Sequence, residues 1–277
     1  MSTFESRKRS RELNEKLIKL ALISAATISI LTTFGILFSI LFEAIEFFKL
    51  RSFWYFITGA TWSPGVIGSQ FGALPIFAGT FVITIIALGV AIPVGLGSAI
   101  YMSEYASANI RDYLKPLLEI LAGIPTVVYG FFAAITVAPL VVQIAEFFGL
   151  EATFNSALAS GVVMGIMIIP VISSLSDDVI RAVPDSQRKA AFALGMTHGE
   201  TIKNIVLPSA MPGIISASLL GLSKALGETM IVVMAAGLRP NLSWNPLEDM
   251  TTVTVTIVNS LVGDFEFNSP ETLSAFA

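Results

Sequence analysis

Lys224 and Glu228 stand four positions apart inside an otherwise apolar run from about Ser209 to Leu238. On a continuous helix that spacing stacks them one turn apart on a shared face, where they can pair. A charge deep in a bilayer costs roughly 2.5–3.5 kcal/mol on insertion scales, so the two together are a candidate translocation gate or anion site, with a purely structural ion pair as the competing reading. Little other chemistry is available. The chain has no cysteine and a single histidine, His198, so it offers no thiolate site and no histidine cluster for a metal. Neither HExxH nor GxSxG occurs, which removes the signatures of zinc peptidases and α/β-hydrolases. No lysine is followed by Ser or Thr, so a Walker A loop is absent and any ATP hydrolysis must come from a partner.

The second constellation is a polar island, RKAAFALGMTHGETIKNIVLP, from Arg188 to Pro208. Its spacing predicts two short helices. One starts near Asp185 and stops at Gly195, because glycine enters the left-handed conformation past a helix end without a Cβ clash. The next is announced by Thr197 and Glu200, a capping box, and Pro208 closes the loop. A connector with packed alanines and a capping glycine would show some of these features, but not all of them in register between two membrane-length segments.

The elements around these residues follow from composition. A chain of 277 residues with 54% hydrophobic and 13% charged residues cannot present an ordinary soluble surface, and its mean hydropathy is +0.79; an all-α polytopic membrane protein is expected. Residues 1–16 form a basic tail, with Arg7, Lys8, Arg9, Arg11 and Lys16. Residues 17–42 form an uncleaved first transmembrane helix. A loop at 43–73 follows, with Trp54, Tyr55 and Trp62 as interface anchors, and residues 74–277 form the main transmembrane domain. Its spans are expected at about Leu74–Tyr101, Pro116–Leu140 after a charged turn at Ser103–Lys115, Ser156–Leu175, and Ser209–Leu238. Two stripes of small residues, Ala87/Ala91/Gly95/Ala99 and Gly213/Ala217/Gly221/Ala225, together with Gly161 and Gly165, mark close helix packing. The run Val253–Val262 is too short to span.

Basic residues set the orientation. With the N-terminus inside, the inner segments hold the basic tail, Lys19, Arg111, Lys115, Arg181, Arg188, Lys189 and Lys203, against Lys49, Arg51 and Arg239 outside. The polar island, within a loop spanning 176–208, is thereby cytoplasmic.

Two alanines, three residues, glycine, nine residues, isoleucine, one residue and Leu-Pro is the pattern of the EAA loop in type I ABC importer permeases, and Ala190, Ala191, Gly195, Ile205, Leu207 and Pro208 match it. Lys189 departs, standing where that pattern has glutamate. The resemblance sharpens in GLSKALGETMIVVMAAG (221–237), AGIPTVVYGFF (122–132), FGALPIFAGTFVITIIALGVAIPVG (71–95) and MSEY (102–105), which look like the PstC-type permeases of phosphate-specific (Pst) importers. The resemblance implies the fold of a type I ABC importer transmembrane domain, with five spans visible and a sixth cut off after SPETLSAFA. It also implies a translocation role for Lys224 and Glu228, and contact between the loop and an ATPase. The partners implied are a PstA-type permease, a PstB-type ATPase dimer carrying ATP and Mg, and a PstS-type binding protein in the periplasm of a bacterial inner membrane, with no cofactor on this chain. Another oxyanion, such as molybdate, sulfate or phosphonate, is the alternative cargo, and an ion-coupled secondary carrier the alternative engine.

Overall fold

The computed structural model describes residues 2–65, 69–263, 266 and 268–277, and side chains from Asn14 onward. The tail side chains Arg7, Lys8, Arg9 and Arg11 lie outside the described residues. The chain divides into two units, Met1–Phe53 with Asp264–Ala277, and Trp54–Gly263.

The first unit is built on α1 (Ser2–Leu50). The helix runs past the expected end at Phe42 because no glycine or proline interrupts Glu43–Leu50, and Glu46 and Lys49 pair one turn apart. Its stretch Asn14–Leu50 is long and apolar enough to span a bilayer. In the C-terminal segment of this unit, Ser269 Oγ accepts from the Thr272 backbone N–H and Pro270 occupies the first turn of a short helix, Pro270–Leu273.

The second unit opens with α2 (Phe53–Thr58) and a two-stranded antiparallel pair, β1 (Trp62–Ser63) and β2 (Gln70–Phe71), with Trp62 opposite Phe71. Trp62 is therefore not an interface anchor. It is 8% exposed, with its ring edge-on to Phe56 and Phe71, whereas Trp54 is 74% exposed. Next, α3 (Leu74–Ile100) carries on into a π turn at Tyr101–Tyr105.

The expected charged turn at Ser103–Lys115 is instead mostly helix. α4 (Ala108–Ala122) buries none of its residues. The chain then breaks at Gly123–Pro125, since proline disfavours the helical conformation in the residue before it. The third span accordingly starts later than Pro116, as α5 (Thr126–Phe132), a π turn and α6 (Ala138–Phe147). Tyr129 closes this corner by donating to the Leu121 carbonyl at 2.9 Å.

α7 (Ala157–Ala182), N-capped by Ser156, is the centre of the unit. Met164, Met167, Ile168 and Ile172 on it are at most 1% exposed. Both small-residue stripes, one on α3 and one on α10 (Leu207–Leu226), pack against this helix. A Cβ at Gly165 would sit 2.8 Å from the Ala87 carbonyl and from Val90 Cβ, and one at Gly213 would sit 2.3 Å from Val179 Cγ1. In a bilayer, where burying apolar surface drives association only weakly, such close approach supplies the packing attraction. Gly165→Leu should therefore destabilise the protein by about 1–3 kcal/mol through overpacking. Gly89→Ala, where nothing lies within 4 Å, should not; thermal unfolding in detergent distinguishes the two.

The polar loop contains α8 (Asp185–Ala193) and α9 (His198–Thr201), but α9 runs without interruption through a π turn into α10 (Leu207–Leu226), so the second loop helix is the start of the fifth span rather than a short helix closed at Pro208. The expected fifth span to Leu238 is interrupted. α10 ends at Leu226, residues 227–229 leave the helix, and α11 (Met230–Ala235) begins anew. α12 (Val253–Val262) is short, as its length required, and Val253 N–H donates to Thr80 Oγ1 on α3. The loop before it is held by Glu248, which accepts from Asn241 and Asn245, and these bonds keep its carboxyl below the usual range.

Candidate functional site

The break after α10 is a site in itself. Breaking a helix inside an apolar segment leaves carbonyls unpaired where the first helix ends and N–H groups unpaired where the next begins, so the N–H groups at the start of α11 require an internal acceptor. Glu228 supplies it. Its Oε1 accepts from Met230 N at 3.0 Å and Ile231 N at 3.3 Å, and its own carbonyl accepts from Thr254 Oγ1 at 2.9 Å. The side chain is 8% exposed. Lys224, half-buried one turn before the break, makes no ion pair among the described residues. The pairing expected from the four-residue spacing is thus not formed. It assumed one continuous helix, and the break at Gly227 turns Glu228 to its own backbone instead.

The polar loop is the other site. Gly195 has φ +83°, and the N–H groups of Gly195 and Met196 donate to the carbonyls of Phe192 and Ala191 at 3.0 and 3.2 Å. This is the two-bond C-cap that the left-handed glycine permits. Thr197 and Glu200 form the reciprocal capping box. Ala191 packs inward at 3% exposure, while Lys189 and Ala190 face outward. Ile205 falls in the π turn, and Leu207 and Pro208 open α10. Phe192 and Leu194 stand 45% and 80% exposed beside the Gly195 joint, an apolar tip on a polar loop.

Sequence reasoning missed the side chains that secure this end of the molecule. Asp177, fully buried on α7, accepts from Arg111 of α4 at 2.9 Å, and Lys115 pairs with Asp178 at 2.5 Å. Arg188 of α8 pairs with Glu104, in the π turn after α3, at 2.8 Å. One signal pointed here: Arg111 and Lys115 were assigned to the same membrane face as the acids at the end of the fourth span. Among the described residues, no three His, Cys, Asp or Glu side chains gather in a metal-sized group.

Both sites belong to a bundle of apolar helices, and among the described residues five helices are long and apolar enough to cross a membrane. The chain belongs to the family of binding-protein-dependent transport system inner membrane components, whose profile matches residues 91–258. It is 32% identical over 268 residues to the probable ABC transporter permease protein YqgH of Bacillus subtilis, covering 96% of this chain and 85% of that one. With the phosphate transport system permease protein PstC 1 of Mycobacterium tuberculosis it shares 33% identity over 249 residues, 79% of this chain and 73% of that protein. Among solved structures, the inward-facing MetNI methionine ABC transporter is similar in fold, with a TM-score of 0.50 and 18% identity over 73% of this chain and 83% of that chain.

Proposed function

We propose that this chain is the PstC-type membrane subunit of an ATP-driven importer of inorganic phosphate, with its N-terminus and polar loop on the cytoplasmic side. The observation that carries the reading is the coincidence, in one chain, of 33% identity to a phosphate permease across most of its length with a half-buried lysine, free of any ion pair among the described residues, one turn before the helix break. A cation in that position attracts a dianion as it leaves water, where Coulomb attraction is less screened. A lysine offers a point charge rather than the bidentate grip of a guanidinium, so phosphate is held loosely enough to move on.

On this reading a PstA-type permease completes the pathway, a PstB-type ATPase dimer holds ATP and Mg, and a PstS-type protein delivers phosphate from the periplasm. Closure of the ATPases is passed through the loop 176–208, with Lys189, Ala190, Ala191, Gly195, Ile205, Leu207 and Pro208, to the spans, which switch from outward to inward facing. Lys189, at a position where such loops carry glutamate, meets the ATPase with the opposite sign. The test is the assembled complex in proteoliposomes. Phosphate with its binding protein should raise ATP hydrolysis and enter the vesicles, whereas stimulation by molybdate, sulfate or phosphonate alone would transfer the cargo to another oxyanion. Uptake driven by an ion gradient without ATP would make the chain a secondary carrier.

A further inference from the structure

Arg188 grips two membrane helices from a single guanidinium. Its Nη2 donates to Glu104 Oε1 at 2.8 Å and to the Ile180 carbonyl at 2.9 Å. Nη1 donates to the Val183 carbonyl and, at 3.4 Å, to Asp185 Oδ1. Ile180 lies in the last turn of α7, so one side chain of α8 binds both the end of that helix and the end of α3. The other half of the loop converges on the same carboxylate, with His198 Nε2 of α9 lying 3.8 Å from Glu104 Oε2. The His198 ring is edge-on to Tyr105 and stacked on Phe192. Glu104 reaches this position because α3 ends in a π turn, closed by Ala106 N–H donating to the Tyr101 carbonyl at 2.8 Å. Such turns occur often where a helix must be re-aimed for function.

We propose that Arg188 and Glu104 form the strut through which displacement of the polar loop is delivered to α3 and α7, a role that rests on the coupling function argued above. α8 follows α7 directly in the chain, so movement of the loop reaches α7 covalently. α3 is more than eighty residues away in sequence, and the Glu104 pair ties it to α8 without a covalent link. The two side chains are 16% and 6% exposed, so the bond is charge-assisted and little screened by salt. A guanidinium is suited to this task because its rigid fork of donors serves a carboxylate and two carbonyls together, which a single ammonium on a flexible stem does not.

The experiment uses the full assembled complex and reads cargo moved per ATP hydrolysed, with membrane abundance and co-purification of the ATPase measured alongside. Arg188→Gln and Glu104→Gln are each expected to assemble yet move about tenfold less cargo per ATP, within the range of ordinary coupling free energies. Arg188→Lys should fall between these and the parent. The exchange Glu104→Arg/Arg188→Glu should stay uncoupled, because a carboxylate at 188 would face the carbonyl oxygens of Ile180 and Val183. Unchanged cargo per ATP in the two glutamine variants overturns the strut, whether or not their abundance falls. Restoration by the exchange overturns the three-way grip in favour of simple pairing. The parent complex keeps the readings separate: if it moves an oxyanion other than phosphate, only the cargo assignment fails and the variants are scored on that anion.

Discussion

Lys224→Gln is expected to abolish phosphate uptake, a loss of roughly 100-fold if the ammonium contributes the upper range of a charged contact, about 3 kcal/mol, to moving the anion. The complex should still assemble, because Lys224 makes no ion pair among the described residues that its loss would break. Lys224→Arg should retain activity. Glu228→Gln is the companion variant, and the structure makes it a clean one. The amide oxygen of glutamine can still accept from the N–H groups of Met230 and Ile231, so the break survives while the charge is lost. Loss of uptake in this variant, with assembly intact, therefore reports on charge in the pathway. Glu228→Ala removes the acceptor as well and should cost about 1–3 kcal/mol of stability on top. The exchange Lys224→Glu/Glu228→Lys should be inactive, because an ammonium at 228 cannot accept from the freed N–H groups. Normal transport by the exchange variant would mean that only a pairing matters, and the pathway role of Lys224 would be wrong. Radiolabelled phosphate uptake, normalised to membrane abundance, reads all of these.

Gly195→Val should likewise stop transport, for a reason that lies in the backbone. Nothing stands within 4 Å of where its Cβ would be, so space is not the obstacle; the residue has φ +83°. A β-branched side chain in that conformation costs on the order of 1–3 kcal/mol. It would favour opening of the double-bonded cap that turns α8 into α9. The expected result is loss of uptake with the ATPase either bound less tightly or hydrolysing ATP unproductively. Gly195→Asn, which tolerates the left-handed region, should retain more activity. Uptake, ATPase rate and membrane abundance measured together separate uncoupling from simple instability, and normal uptake by the valine variant at parental abundance would refute the coupling role of the joint.

Much of the polar loop was legible because its determinants are local. A left-handed glycine and a Thr-x-x-Glu box act over three or four residues, and each imposes the same geometry wherever a helix must end or begin. Membrane-length segments are legible for a related reason, since every backbone group in hydrocarbon must be satisfied within its own helix and the required run of apolar residues shows in composition. The small-residue stripes belong with them. A row of alanine and glycine every four residues states that something packs there, although not that both rows meet α7.

Where the reading failed, the competing determinant was distant. Hydropathy carried the third span back to Pro116 and the fifth on to Leu238, because apolar content does not register a helix break whose freed N–H groups are capped from within. Trp62 looked like an anchor until the pairing with Phe71 buried it. The sequence by itself determined the number and nature of the apolar helices, the two caps of the polar loop, and the family to which those motifs belong. Only the tertiary structure decided that Glu228 serves its own backbone rather than Lys224, and that Glu104, Arg111, Asp177 and Arg188 bind the loop end of the bundle together. Ion pairs between residues 66 and 84 positions apart leave no periodic trace in a chain, since they depend on where whole helices come to lie and not on the spacing of neighbours.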